Sequence, residues 1–326
     1  MAGIKLKAGL EIHQQLNTNK LFCNCPSVLR KDKPDYKIKR KLHLVAGEEG
    51  VVDVAAKFEA EKEREFEYEG YYDNCCLVEL DEEPPHLINQ EALKIAIQIS
   101  LLLNCEIIPY TQIMRKTVID GSNVSGFQRT VLIAKNGWVE IGKKKIGIES
   151  VCLEEDAARI ISQKKNKIIY RLDRLGIPLI EIATKPEISS PEEAKEVALK
   201  IGEVLRACDV KRGIGTIRQD LNMSVCVDGE WGRRIEIKGV QEPRLIEKTI
   251  KLERERQIKL IKKKKSEAEV RKANEDGTTS FLRPLPGKAR MYPETDLPLL
   301  HISRELINEA KRELPKLKSE IKKELK

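Results

Sequence analysis

The chain has 326 residues, 40% of them hydrophobic and 34% charged, with a net charge of +8. That length can bury a sizeable core in one large domain or two ordinary ones. It holds no run of about 18 apolar residues to cross a bilayer and no apolar N-terminal stretch of the export type, so a cytoplasmic protein with no membrane partner is expected.

The basic balance points to a polyanionic partner such as RNA, while 4% aromatic residues argue against a platform that stacks single-stranded bases. Eight cysteines without an export signal imply reduced thiols. Cys105, Cys152, Cys208 and Cys226 stand among Leu, Val and Ile and read as small core residues. Cys23-x-Cys25 and Cys75-Cys76 are pairs of soft ligands. Zinc usually takes CxxC knuckles, so this spacing reads as buried thiols first and as a four-cysteine zinc site second.

Residues 1–85 read as short strands with charged interruptions. In the first, "AGLEIHQQLN" (8–17), Glu11 and His13 are two apart and share one face. "NQEALKIAIQISLLLN" (89–104) is a helix capped by Asn89 with a stripe of Leu93, Ala96, Ile97 and Leu101. Residues 107–184 return to strands and turns. Within them "GSNVSGFQR" (121–129) suits a loop that approaches phosphate, although neither a Walker motif nor GxGxxG occurs. "VCLEEDAAR" sets Glu154, Glu155 and Asp156 behind an apolar run, where adjacent carboxylates repel unless a cation holds them. "YRLDRLGIPLIEI" (170–182) places Asp173, Arg174 and Glu181 around a Gly-Ile-Pro turn. A helix follows, with Ser190 as cap, Pro191 first and Glu193 completing a capping box. In "GTIRQDLNMSV" (215–225), Arg218, Asp220, Asn222 and Ser224 form a polar face; "RIEIKGV" presents Glu236 and Lys238.

A long charged helix is predicted over about 242–272, then a Gly/Pro-rich loop with a short strand over 274–300. Residues 303–326 read as a basic amphipathic helix broken near Pro315. Without strict βαβ alternation the fold class is α+β with a largely antiparallel sheet.

The oxygen- and nitrogen-rich candidates are Glu11, His13, Glu155, Glu181 and Asp220, a hard donor set suited to Mg²⁺ or Mn²⁺. Arg174, Arg218 and Lys238 are cations of the kind that neutralise transferring phosphates. His43, His86 and His301 read as surface or structural, and no Ser-His-Asp, Cys-His or GxSxG arrangement supplies a glutaminase nucleophile.

Seven ordered blocks over residues 5–302, among them "KAGLEIHQQLNTNKLFC", "MRKTVIDGSNVSGFQRT", "LEEDAARI", "VKRGIGTIRQDLNMSV" and "LRPLPGKARMYPETDLPL", resemble the E-type subunits (GatE) of archaeal glutamyl-tRNA(Gln) amidotransferases, to which the bacterial and organellar GatB proteins are more distant relatives. The resemblance implies a GatB/GatE-type cradle, a mainly antiparallel mixed sheet flanked by helices, spanning 1–302. Residues 303–326 then begin a helical region. It implies a ligase of protein biosynthesis that uses ATP and Mg²⁺ to phosphorylate the γ-carboxyl of glutamate on tRNA(Gln). Ammonia from the D-type amidotransferase subunit, an asparaginase-like glutaminase partner, then displaces the phosphate.

Carried onto this chain, the metal and catalytic positions are Glu11, His13, Glu155, Glu181 and Asp220. Contacts to nucleotide and aminoacyl end fall to Ser122, Asn123, Gln128, Arg129, Arg174, Arg218 and Lys238, and an ammonia path to Asp173, Asn222 and Gln241. The family's insertion domain, expected between the long helix and "RPLPG", reads as absent, as do the tail domains that grip tRNA; a separate chain that supplies the tail is one expected partner. The alternatives are a non-catalytic cradle that scaffolds the glutaminase or tRNA, and a Mg²⁺-ATP ligase acting on a small carboxylic acid.

Overall fold

The computed structural model describes residues 3–41, 64–118, 120–164, 166–285 and 291–324. Strands β1 (Lys5–Gln15), β2 (Tyr36–Arg40) and β3 (Glu65–Gly70) precede helix α1 (Gln90–Leu102). Then come β4 (Glu106–Ile107), β5 (Tyr110–Thr111), β6 (Ile113–Thr117), β7 (Phe127–Ile141), β8 (Lys144–Glu155), β9 (Arg159–Lys164), β10 (Lys167–Arg171) and β11 (Pro178–Thr184). Helix α2 (Pro191–Ala207) leads to β12 (Ile217–Val227), β13 (Glu230–Trp231), β14 (Ile235–Lys238) and helix α3 (Pro243–Lys262). The chain continues through β15 (Glu269–Ala273), β16 (Thr279–Pro284), β17 (Met291–Pro293), β18 (Leu300–His301), α4 (Arg304–Arg312) and α5 (Lys318–Glu324). This is an α+β protein.

The main sheet runs β16-β15-β14-β12-β1-β11-β8-β7-β6-β17, with β13 and β4 as side branches. A second sheet runs β2-β3-β10-β9. Among the described residues only β14–β15 and β3–β10 pair in parallel. The long strands alternate. On β1, Leu6, Ala8, Leu10 and Ile12 are buried while Lys5, Lys7, Glu11 and His13 reach the other face. The apolar side packs under α2 and α3, whose stripes join the same core. Each such Leu or Ile contributes roughly 1.5–3 kcal/mol by leaving water. The sheet therefore has one apolar face and one open, polar face, and Glu11 and His13 lie on the second.

Helix ends follow the caps read from the sequence. Asn89 accepts from the Ala92 amide at 3.0 Å, and Ser190 accepts from the Glu193 amide at 3.1 Å. Glu193 reaches back to Ser189, whose amide donates to its carboxylate at 2.7 Å. The break at Pro315 separates α4 from α5.

The long charged helix stops earlier than its composition suggested. Helix α3 ends at Lys262, and residues of its expected last turns form β15, which pairs with β14. Val270 and Ala273 gain more by burial in the sheet than further helical turns would give them. His43 and residues 286–290 of the Gly/Pro-rich loop lie outside the described residues. No helix among the described residues is long and apolar enough to cross a membrane.

Candidate active site

Strand β1 lies between β11 and β12, and its register sets the site. His13 stands opposite Glu181 on one side and Arg218 on the other, and Glu11 stands opposite Asp220. Because side chains alternate, these five groups emerge together on the open face. Gly9, just before them, lets β11 come close: a Cβ there would meet the Thr184 carbonyl oxygen at 3.1 Å. They line a cavity of about 770 Å³ with Lys116, Glu154, Arg174, Lys238, Ser122 and Gln128.

His13 Nε2 lies 3.1 Å from Glu181 Oε2 and 3.4 Å from Glu11 Oε1. One ligand atom from each of Glu11, His13 and Glu181 fits within 4.8 Å, close enough to share a cation. Lys116 donates to Glu154 at 3.1 Å and to Glu181 at 3.5 Å. Lys238 lies 3.1 Å from Asp220 and 2.9 Å from Glu236, while the Gly239 amide donates to Asp220 at 3.0 Å.

These contacts polarise the site. Burial, then the Glu181 charge, push the Glu11 carboxyl up to about 7 against the pull of His13, Lys238 and Lys116. Burial disfavours the imidazolium of His13, but its bond to Glu181 and the surrounding carboxylates outweigh that and hold it above its ordinary value. Burial opposes ionisation of Glu181 too, yet Lys116 and His13 keep it well below the usual carboxylate range. Carboxylates this crowded ask for positive charge.

A second group holds the rim. Asp156 is 1% exposed and accepts from Gln15 at 2.6 Å and from Arg218 at 2.8 Å, with Arg174 Nε at 3.8 Å. Arg174 also donates to the carbonyls of Ala157 and Ala158 at 2.7 and 2.9 Å. One buried carboxylate thus aims two guanidinium groups into the cavity, a geometry suited to phosphate.

Four of the residues singled out in the sequence are elsewhere. Glu155 follows Glu154 on β8 and therefore points through the sheet, where it is 6% exposed and pairs with buried Arg129 at 3.4 Å. Arg129 continues to Glu294 at 2.8 Å. Burial raises the Glu155 carboxyl, and Arg129 opposes the shift. Asn123 faces a separate small cavity beside Lys20 and Glu79. Of the ammonia-path residues, Gln241 lines the main cavity and Asn222 lies on the open face, whereas Asp173 is buried in a pair with Arg159 at 2.7 Å. Glu154, Lys116, Asp156 and Glu236 were not selected from the sequence. Glu154 was named there only within the acid cluster of "VCLEEDAAR", and its facing follows from the pairing of Cys152, two residues before it, with Glu181. Lys116 was out of reach, because nothing local joins "MRKT" to β11.

The cysteines also regroup. Cys23, Cys25, Cys76 and Glu79, not Cys75, bring one ligand atom each within 4.8 Å. Glu79 accepts from Cys23 at 3.1 Å and from the Cys76 amide at 2.8 Å. Hydrogen bonds from Cys23 and Cys25 pull the Cys76 thiol well below its ordinary value. Cys75 instead joins the core of the second sheet with Phe66 and Tyr170. Cys105, Cys208 and Cys226 are buried as expected, but Cys152 is half-buried on the polar face.

An open antiparallel sheet carrying acids, an imidazole and flanking cations on one face defines a catalytic domain of the cradle class. The chain belongs to the GatB/GatE catalytic domain family, whose model matches residues 6–308. It is 39% identical to a glutamyl-tRNA(Gln) amidotransferase E-type subunit from Methanocaldococcus jannaschii, over 97% of this chain and 72% of that protein. Proteins of the same name from Pyrobaculum aerophilum and Methanococcus maripaludis are 52% and 53% identical over 79% and 78% of this chain. Those matches cover 42% and 40% of the relatives, so the matched part of this chain spans less than half the length of either.

Proposed function

We propose that this chain is the ATP-dependent synthetase part of a tRNA-dependent amidotransferase, acting on glutamate carried by tRNA(Gln). The observation that carries the reading is the convergence of Glu11, His13 and Glu181 with Lys116, Lys238 and the Asp156-anchored arginines on one cavity. The donors are oxygen and imidazole nitrogen, which fits Mg²⁺; held by Glu11, His13 and Glu181, with Glu154 and Asp220 beside them, the ion supplies charge neutralisation for phosphoryl transfer.

The chain's own residues do the rest. Arg174 and Arg218 orient the phosphates, and Lys116 and Lys238 offset charge that builds during transfer. The γ-carboxylate oxygen of the glutamyl group attacks the γ-phosphorus, and the bond to ADP breaks. Ammonia then attacks the activated carbonyl carbon, inorganic phosphate leaves, and the amide loses a proton. That proton leaves to solvent at the open face of the sheet. Residues 1–302 form the working unit, and a separate asparaginase-like glutaminase delivers the ammonia.

The test supplies ATP, Mg²⁺, Glu-tRNA(Gln) and ammonium chloride to the purified chain and measures Gln-tRNA(Gln). Product that disappears in His13→Ala supports the reading. Product with free glutamate instead makes the chain a small-acid ligase, and no product from a folded chain under any of these conditions makes it a scaffold. The cysteine cluster is a separate proposal: Cys23, Cys25, Cys76 and Glu79 hold zinc, a soft set with one hard donor.

A further inference from the structure

The odd-numbered residues of β1 that carry Glu11 and His13 continue along the same open face to Lys7 and Lys5, both exposed. Lys7 lies about 13 Å up the strand from Glu11. Its ammonium sits 4.6 Å from the ring centre of Trp231, which is 40% exposed. Beyond Trp231 come Arg233 and Arg234, at the surface. The Arg233 amide donates to Ser266 Oγ at 2.8 Å, which ties this corner to the exposed lysines at the end of α3.

That helix end is built in an unusual way. The Lys265 amide bonds to the Leu260 carbonyl at 3.0 Å and the Lys264 amide to Ile261 at 2.9 Å, the pattern of a Schellman cap. The left-handed position of such a cap is normally glycine, yet here it is Lys264, with φ of 54°. Favourable interaction of lysines with the carbonyl end of a helix accounts for Lys259 and Lys262. It does not account for a lysine where glycine costs nothing. None of Arg233, Arg234, Lys263, Lys264 or Lys265 has a carboxylate partner among the described residues. A strained turn that displays three unpaired cations is a surface arranged for something outside the fold.

We propose that the rim formed by Lys7, Arg233, Arg234 and Lys263–Lys265 docks the phosphate backbone of an RNA, and feeds its end along the open face to the cavity. The proposal rests on the RNA-linked substrate argued above, and it names the part of this chain that grips that RNA. Unpaired lysines and arginines on one face are the electrostatic footprint of a phosphate backbone, and they act through release of counterions.

The experiment measures binding of an uncharged tRNA(Gln) transcript by fluorescence anisotropy over a series of KCl concentrations, without ATP. The K263E/K264E/K265E variant is expected to bind about tenfold or more weakly at about 0.15 M salt, and K263A/K264A/K265A to lower the salt slope by about 2–3. Lys264→Gly, which relaxes the cap, should keep or raise the melting temperature and still weaken binding. In turnover with Glu-tRNA(Gln), the alanine variant should raise KM for the tRNA and leave kcat unchanged. Unchanged binding in the turn variants overturns the proposal. So does an equal loss in K318E/K322E/K323E on α5, or a wild-type chain that ignores the transcript at low salt. A chain that binds through this rim but makes no Gln-tRNA(Gln) refutes the proposed activity and leaves the docking surface standing.

Discussion

His13 Nε2 lies 3.1 Å from Glu181 Oε2, across directly opposed positions of β1 and β11. The pair is a product of register: a one-residue slip of either strand would send one partner through the sheet into the apolar layer under α2. The chemistry of the cavity and the packing of the core are therefore specified by the same backbone hydrogen bonds.

Glu154 and Glu155 give a direct test of this geometry. Glu154→Gln removes a carboxylate from the cavity and should lower kcat for ammonia-dependent transamidation by about 100-fold or more, with a smaller loss of stability than a break behind the sheet, because Lys116 keeps Glu181 as a partner. Glu155→Gln leaves Arg129 short of its charge partner behind the sheet and should cost on the order of 3 kcal/mol of stability. Urea melts read beside kcat decide between them; the opposite pattern would mean that the two carboxylates had been assigned to the wrong faces.

Asp156 acts through the arginines it anchors. Asp156→Asn keeps the side chain's shape but weakens its hold on Arg174 and Arg218, so KM for ATP should rise about tenfold while kcat changes less. A fall in kcat at constant KM would place Asp156 in the chemical step instead.

Adjacent acids on β8 could be read as a cluster from the sequence, but not which of them faces the cavity, because that depends on where β8 joins β11. Alternation on β1 and β12 was legible locally, and it put Glu11, His13, Arg218 and Asp220 on one face. Lys116 and Asp156 were not, since each acquires its role from partners tens of residues away. The same holds for Glu79, whose place beside Cys23 and Cys76 is fixed by the fold and not by any cysteine spacing. Helix α3 shows the converse failure: a charged run with good helix propensity ended early because tertiary burial of β15 outweighed it.

Glu294 supplies the pH dependence. It is 1% exposed and accepts from Arg115 at 2.5 Å and from Arg129 at 2.8 Å. Burial opposes its ionisation, but these arginines hold its carboxyl below the ordinary value of 4.5. A carboxyl lowered on folding contributes stability that is complete above that ordinary value and is lost as pH falls through the lower folded value. Thermal melts between about pH 3 and 7 should thus fall off on the acid side, and Glu294→Gln should reduce that slope while costing about 3–5 kcal/mol at neutral pH. An unaltered acid limb in the variant would show that other carboxylates govern it.

Metal analysis tests the regrouped cysteines. The purified chain should carry close to one zinc per molecule, released by Cys76→Ser and retained by Cys75→Ser. Loss of zinc in the second variant and not the first would restore the four-cysteine arrangement.

The turn between α3 and β15, residues 263–268, joins the helix to the sheet at the rim. The strands that carry Glu11, His13, Glu181 and Asp220, namely β1, β11 and β12, are paired without it. Splicing extra chain into that turn would enlarge a surface loop at an entropic cost that grows only by about 0.6 kcal/mol for each doubling of its length. The turn is thus a socket: a segment added there would leave the alignment of Glu11 with Asp220 as it is.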